Sequence, residues 1–360
     1  MQNPERKKNV LFLISALYGG GAEKVCCLLA SELAKTCHVT VAYAIDRGIR
    51  YPLDPSCETV LIPQMRVRFL RGYLLRAALL LKTVMFCRKL KKKRKIDVTV
   101  SLLLEMNQLN VLSRAGDRVI TSERANPKKY QAEKFGRTRW IYGCSDYVVF
   151  QSEQIRHLYG KRVLKHSGVI CNPVSVPCKA QEIRAHRIVT MGRLAAQKNQ
   201  AMLICAFARF QEMFPDYTLS LYGEGELEEE LRALIHSLKM ESKVLLHGNV
   251  QQVHEQIRDA EMFILPSNYE GLSNALLECM AMGIACISTA CEGSSDVIQD
   301  GENGLLVGIG DEDGLVNAMT RIAQDELLRR KLERGAIDTA NRLFRRDVVM
   351  KEWERVIFDR

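Results

Sequence analysis

Four groups of residues in this 360-residue chain have the types and spacing to do chemistry. The first is Met191-Gly192-Arg193-Leu194 with Gln197-Lys198-Asn199, where a β-branched run ends in a glycine turn and a helix-like segment follows. A guanidinium fork and an ammonium point charge at one strand end suit a pyrophosphate, and they would equally serve as solvated surface cations. The second is the pair Glu270 and Glu278 in Asn268-Tyr269-Glu270-Gly271-Leu272-Ser273-Asn274-Ala275-Leu276-Leu277-Glu278. Glu278 falls one helical turn after Asn274, among Leu276, Leu277, Cys279 and Met280, so its carboxylate needs donors, and a diol such as that of ribose supplies two. The helix start near Ser273-Asn274 adds free backbone N–H groups and a partial charge of roughly +0.5, suited to phosphate.

The third group, Gly19-Gly20-Gly21-Ala22-Glu23, follows an apolar run and opens a helix. Its backbone either approaches a phosphate or only packs closely; it has neither the G-x-G-x-x-G spacing nor a Lys-Ser/Thr pair. The fourth is a cationic run. Twelve of the 52 Lys and Arg lie between Met65 and Lys95 with no Asp or Glu, so the remaining 40 are slightly outnumbered by 42 acidic residues, and the formal net charge of +10 resides in that stretch. Apolar residues at 70, 73, 74, 77, 80, 81 and 84 recur with helical spacing, which predicts a long amphipathic helix over 66–95. A solvated face would mix signs, and nucleic-acid binding would bring recognition motifs that are absent here, so an anionic membrane surface is the expected partner and nucleic acid is not.

The elements that must position these groups alternate along the chain. Strands are expected at Val10–Ser15, Val39–Ala44, Thr59–Ile62, Asp97–Ser101, Arg118–Ser122 and Tyr147–Phe150, then at Arg187–Met191, Thr218–Tyr222, Val244–Leu246, Met262–Leu265 and Ala285–Ser288, with helical runs between them. This is the pattern of parallel sheets with crossover helices. Cys171-Asn172-Pro173-Val174-Ser175-Val176-Pro177 separates two halves that each open as strand, glycine turn and helix, and the tail from Glu326 reads as helices alone.

Composition excludes other classes. With 47% hydrophobic and 26% charged residues the chain is neither disordered nor fibrous. The twelve cysteines are scattered through apolar runs without a CxxC pair and are read as reduced core thiols. The start, Glu5-Arg6-Lys7-Lys8 before Val10 to Leu17, is read as a strand entering a glycine loop, not as a secretory signal, and Lys82 interrupts the best candidate for a membrane span.

In this order, Gly19 to Glu23, Asn172-Pro173-Val174, Met191 to Leu194 with Gln197 to Asn199, Tyr222-Gly223-Glu224-Gly225-Glu226-Leu227, Glu270 to Glu278, and Gly301-Glu302-Asn303-Gly304-Leu305-Leu306-Val307 resemble family 4 retaining glycosyltransferases. The resemblance spans nearly the whole chain and is faintest from Asp46 to Val100. It implies an α/β GT-B fold of two Rossmann-like, doubly wound domains facing a central cleft. The expected parts are an acceptor domain over 1–173, a linker over 174–184, a nucleotide-sugar domain over 185–340 and a C-terminal helix over 341–360 that crosses back.

The resemblance also implies roles. Arg193 and Lys198 would hold the donor diphosphate and, with Glu270 on the transferred sugar, form the catalytic set. Glu278 would take the ribose; Gly20, Gly21, Gly271, Leu272, Ser273 and Asn274 would line the donor; Asn249 and Val250 would lie near the base. Where relatives place a His after the strand ending at Ser122, this chain has Arg124, expected to meet the acceptor's phosphates or the donor sugar. Arg66, Arg68, Arg71, Lys91, Lys92, Lys93, Arg94 and Lys95 would face the membrane and the acceptor. The implied activity is transfer of a hexose or N-acetylhexosamine from a UDP-sugar, without a metal, to a lipid-linked glycan of polyprenyl-diphosphate type on the cytoplasmic face of the plasma membrane. A UDP-N-acetylhexosamine 2-epimerase-like enzyme and a non-catalytic membrane scaffold are the alternatives.

Overall fold

The computed structural model describes residues 6–18, 20–63, 73–124, 127, 132–174, 178–182 and 184–358. They fall into two compact units, Met1–Pro173 with Met350–Arg360, and Val174–Val349. The first unit runs β1 (Asn9–Ala16), α1 (Gly21–Leu33), β2 (His38–Ile45), β3 (Glu58–Leu61), α2 (Tyr73–Lys93), β4 (Val98–Leu102), α3 (Leu104–Leu112), β5 (Arg118–Ser122), α4 (Ala132–Gly143), β6 (Tyr147–Phe150), α5 (Glu153–His157), α6 (Lys161–Leu164) and β7 (Ser167–Val169). Its strands pair in parallel in the order β3-β2-β1-β4-β5-β6-β7. β4 is buried along its whole length, as a strand covered on both faces must be. The chain reverses its direction of winding between β1 and β4, and the Gly20-Gly21 turn sits at the carboxyl end of β1.

The second unit runs β8 (Ala185–Met191), α7 (Gln200–Met213), β9 (Thr218–Tyr222), α8 (Glu228–Ser237), β10 (Val244–Leu246), α9 (Val253–Gln256), β11 (Ala260–Leu265), α10 (Asn274–Met282), β12 (Ala285–Thr289), α11 (Glu292–Val297), β13 (Leu305–Val307), α12 (Glu312–Gln324) and α13 (Glu326–Leu343). Its parallel sheet has the order β10-β9-β8-β11-β12-β13, with the reversal between β8 and β11. Ile188, Leu219, Leu221, Met262 and Ile264 of the sheet pack on Leu203, Phe207 and Phe210 of α7 and on Leu315 and Met319 of α12.

Each expected strand is present within about two residues, and β7 and β13 are additions to that list: three residues at a sheet edge are too short to carry a period. The returning helix differs from expectation. α13 continues past 340 to Leu343, Phe344 accepts a backbone bond from Val174 (2.8 Å), and the last helix, α14 (Arg346–Phe358), begins only after that break. Trp353, Val356 and Ile357 bury it in the first unit. The stretch read as a linker is tied down at Ala180 to Met282 (2.9 Å) and at Gln181 to Arg258 (2.7 Å).

The expected amphipathic helix is α2, but its orientation is not the one the apolar spacing suggests. Leu80, Leu81 and Met85 are 39%, 60% and 49% exposed, while Thr83, Cys87 and Lys91 are buried, with Phe86 and Leu90 half-buried beside them. Positions 83, 87 and 91 form one stripe at helical spacing. Two of its members are polar and are satisfied locally. Thr83 Oγ1 donates to the carbonyl of Leu79 (2.9 Å), and Lys91 Nζ meets Asp117 Oδ2 (2.9 Å) and Asn110 Oδ1 (2.9 Å), both ion-pair side chains being 1% exposed. Thr99 Oγ1 donates to the same carboxylate at 2.6 Å. Burial pulls the Lys91 ammonium below its usual pKa and Asp117 opposes that pull.

Lys91 is therefore not a membrane-facing cation, contrary to the sequence reading. Arg94 pairs with Glu58 at the edge strand, whereas Lys92, Lys93 and Lys95 are exposed. Arg66, Arg68 and Arg71 lie outside the described residues. The twelve cysteines are free thiols, eight of them buried, which agrees with their reading as core residues. Burial raises Cys27 and Cys57 to about 11 and Cys87 to about 12.

Removing one partner of a buried pair strands the other charge, which costs about 3–5 kcal/mol. Lys91→Met should lower the stability of the first unit by about that amount in urea unfolding, while Lys92→Met and Lys93→Met each stay within about 0.5 kcal/mol of the parent. Equal effects at all three positions would mean that the Lys91–Asp117 pair carries no special weight.

Candidate functional site

The reversal between β8 and β11 makes their two carboxyl ends neighbours, and the loops that leave them carry the expected diphosphate and sugar ligands. The loop after β8 holds Arg193 and Lys198; the loop after β11 holds Glu270 and leads into α10. The two loops are sewn together. The Asn268 amide donates to the Gln197 carbonyl (2.8 Å), Asn268 Nδ2 to the Ala196 carbonyl (2.8 Å), Gln197 Nε2 to the Tyr269 carbonyl (3.0 Å) and Asn199 Nδ2 to Asn268 Oδ1 (3.1 Å). Such a frame removes loop entropy before a ligand arrives.

Within it Lys198 Nζ lies 2.5 Å from Glu270 Oε1, and buried Ser267 donates to the same oxygen at 3.0 Å. Ser267 is held in turn, since its carbonyl accepts from Thr289 Oγ1 (2.6 Å) and Cys291 Sγ (3.1 Å). Arg193 is exposed at the rim, its carbonyl fixed by Gln200 Nε2 (2.9 Å). Lys198 and Glu270 are thus brought into contact, and Arg193 lies on the same loop as Lys198.

The Gly223-Glu224-Gly225 motif shapes the loop from the other side. Gly192 N–H donates to Tyr222 O (2.9 Å) and Leu194 N–H to Glu224 O (3.0 Å), so the two turns run side by side. A Cβ on Gly223, whose φ is +142°, would sit 1.9 Å from the Gly192 carbonyl oxygen. Only glycine fits there. The same holds where a Cβ on Gly293 would lie 1.3 Å from the Gly271 carbonyl oxygen, which shows how closely α11 supports the Glu270-Gly271 turn.

Gly271, Leu272 and Ser273 are buried and lead into α10, whose N-cap Ser273 makes no side-chain capping bond. The amides of that first turn face the carboxyl end of the sheet with the positive end of the helix dipole. Glu278 lies one turn into α10 and is buried, as its apolar neighbours require. Its Oε2 is 2.9 Å from Nε2 of His254, a residue of α9 that the sequence reading passed over. A single His in a polar stretch carries no spacing signal; only the folded chain sets α9 against α10. Ser267 was missed for the same reason.

Asn249 and Val250 lie in the loop between β10 and α9, where the Asn249 amide donates to Glu224 Oε1 (3.3 Å). Next to them His247 stacks on Tyr222 with ring centres 4.5 Å apart, and burial lowers its pKa.

In the first unit Gly20 is the N-cap of α1, and the Glu23 carboxylate covers it so closely that a Cβ there would be 2.1 Å away. Gly19 lies outside the described residues. Arg124, at the end of β5, is engaged by protein groups. Its Nη1 donates to Asn172 Oδ1 (2.5 Å), its guanidinium carbon stands 5.7 Å from the Trp353 ring centre, and burial lowers it to about 10. It joins the end of β5 to the residues just before Pro173 and to α14, the two places where the chain leaves and re-enters this unit.

Residues 182–339 match the family described as glycosyl transferases group 1. Among curated proteins, a Campylobacter jejuni GalNAc-alpha-(1->4)-GalNAc-alpha-(1->3)-diNAcBac-PP-undecaprenol alpha-1,4-N-acetyl-D-galactosaminyltransferase is 27% identical over 97% of this chain and 98% of its own length. A second protein of that organism, N-acetylgalactosamine-N,N'-diacetylbacillosaminyl-diphospho-undecaprenol 4-alpha-N-acetylgalactosaminyltransferase, is 36% identical over 41% of this chain and 40% of its own. Among solved structures, Anabaena HepE in complex with UDP and glucose superposes with a TM-score of 0.79 at 16% identity, covering 97% of this chain and 99% of that one. With two parallel-sheet α/β units of this topology, the chain has the GT-B fold, and its match to glycosyl transferases group 1 falls within the second unit.

Proposed function

We propose that the protein transfers a hexose or N-acetylhexosamine from a UDP-sugar to a polyprenyl-diphosphate-linked glycan, with retention at the anomeric carbon and without a metal. The observation that carries this reading is the joining of Arg193, Lys198, Glu270 and the α10 N-terminus at the β8/β11 reversal. The near full-length relative whose name specifies an undecaprenol-diphosphate-linked substrate, and the UDP complex of a protein with the same fold, support the acceptor and donor classes.

In this reading Arg193 and Lys198 bind the diphosphate. Lys198 exchanges its bond to Glu270 for one to phosphate, which frees Glu270 for the hydroxyls of the transferred sugar. Glu278 accepts from the ribose. As the sugar leaves, charge grows on the β-phosphate, where the two cations and the helix dipole stabilise it without further reorganisation. Attack from the leaving-group face gives retention and lets a phosphate oxygen take the acceptor's proton, so no side-chain base is needed at position 124.

The outward face of α2 supports a membrane-bound acceptor. Leu80, Leu81 and Met85 are exposed next to Lys82, Arg88, Lys89, Lys92 and Lys93. Cations near an anionic leaflet contribute about 1 kcal/mol each, and the apolar side chains can enter the headgroup boundary. No helix among the described residues is long and apolar enough to cross a membrane. A peripheral position on the cytoplasmic face, where UDP-sugars are made, fits this surface.

Incubation of the protein with polyprenyl-diphosphate-linked acceptors and a panel of radiolabelled UDP-hexoses and UDP-N-acetylhexosamines should give a lipid product longer by one sugar, and its anomeric configuration reads the stereochemistry. Release of UDP with formation of a free epimerised hexosamine, or no turnover with any donor, would overturn the proposal. In the same assay Arg193→Ala and Lys198→Ala should each lower kcat by about 10²–10³. A threefold loss or less in both would remove them from the site.

Replacing Lys82, Arg88, Lys89, Lys92 and Lys93 by Gln should leave the protein in the supernatant when anionic vesicles are sedimented. Salt should release the wild type, because the attraction is screened over about 10 Å at 0.1 M. Cosedimentation of the variant at the wild-type level would make this face a solvated surface.

A further inference from the structure

The contact between His254 and Glu278 is a feature that the proposed chemistry does not use. His254 Nε2 lies 2.9 Å from Glu278 Oε2, the two side chains being 13% and 10% exposed. Because an ionised carboxylate only accepts, the imidazole nitrogen must carry the proton and donate it. The two residues come from different elements. His254 belongs to α9, a four-residue helix pinned by wholly buried Ile257, and Glu278 to the second turn of α10. α9 also ends the loop that begins at His247 and contains Asn249 and Val250, so one short segment joins the expected base contacts to the carboxylate expected at the ribose.

A carboxylate in a largely apolar helix turn has several rotamers and no intrinsic reason to prefer one. A donor on Oε2 chooses among them. A carboxylate has about four lone-pair directions, so this bond is compatible with further donors on the same group. We infer that His254 is a positioning residue that sets the Glu278 carboxylate for a ribose diol and thereby makes the site select ribonucleotides over 2′-deoxyribonucleotides. The inference rests on the donor reading above, in which Glu278 accepts from ribose. His254 touches no reacting atom in this scheme. Its effect is expected in nucleotide affinity and sugar selection, not in turnover at saturating donor.

The test is calorimetric titration of the full chain with UDP and with 2′-deoxy-UDP. The wild type should bind UDP at least about tenfold more tightly than the deoxy analogue, since a charged hydrogen bond is lost with the hydroxyl. His254→Ala should weaken UDP binding about five- to tenfold but change 2′-deoxy-UDP binding by less than about twofold, so that selectivity collapses. His254→Gln, which keeps an N–H donor on a side chain of similar reach, should recover most of it. Equal losses for both nucleotides in His254→Ala, or selectivity unchanged, would overturn the role of His254 while leaving the donor site standing. A wild type that binds UDP but does not discriminate would remove Glu278 from the ribose and this inference with it. A wild type that binds neither nucleotide would defeat the donor reading itself.

Discussion

The parallel pairing of β8 with β11 is the constraint from which the site follows. In sequence the two strands are some seventy residues apart, and they become neighbours only because the chain winds outward through β9 and β10 and then returns to the other side of β8. That reversal leaves a gap at the carboxyl edge into which two loops can turn without a crossover helix over them. Each loop alone would be a flexible, polar turn. Together they make a frame of backbone and amide hydrogen bonds, and the glycines at 223 and 293 are there because neighbouring backbone leaves no room for a side chain.

Within the frame the charged groups are held by one another. Lys198 is against Glu270 and His254 against Glu278, so no partly buried charge in these two pairs waits unmatched for its ligand. Such pairing has a consequence for binding. A ligand that offers phosphate to the cation and hydroxyls to the carboxylate replaces the Lys198–Glu270 bond with two better-matched ones, whereas a ligand that offers only one of the two leaves an orphan. Discrimination of this kind comes from the penalty on unpaired groups more than from the strength of any single bond.

The first unit solves a different problem with the same physics. Its sheet and α3 enclose a polar cluster in which Asn107, Asn110, Ser101, Thr99 and Asp117 satisfy one another, and Lys91 completes it from α2. That ion pair decides which way α2 faces. Because Lys91 points inward, Leu81 and Met85 point outward, and an apolar and cationic surface is presented where a hydropathy count would have buried the leucines.

The order of strands and helices, the division after Pro173, the reduced character of the cysteines and the identity of the residues at the β8 and β11 ends were all legible in the sequence, because period, turn residues and charge are local properties of the chain. Arg193, Lys198 and Glu270 stand out in it because they follow strand ends, and Glu278 because it is a carboxylate among the apolar residues of a helix. What the tertiary structure alone decided are relations between distant residues of similar local character. Whether Lys91 or Lys92 turns inward depends on Asp117, reached through a different strand. The donor on Glu278 comes from a histidine without a motif, and Arg124 is claimed by Asn172 and Trp353. A buried polar group takes whichever partner the fold brings to it, and sequence spacing carries no record of that choice.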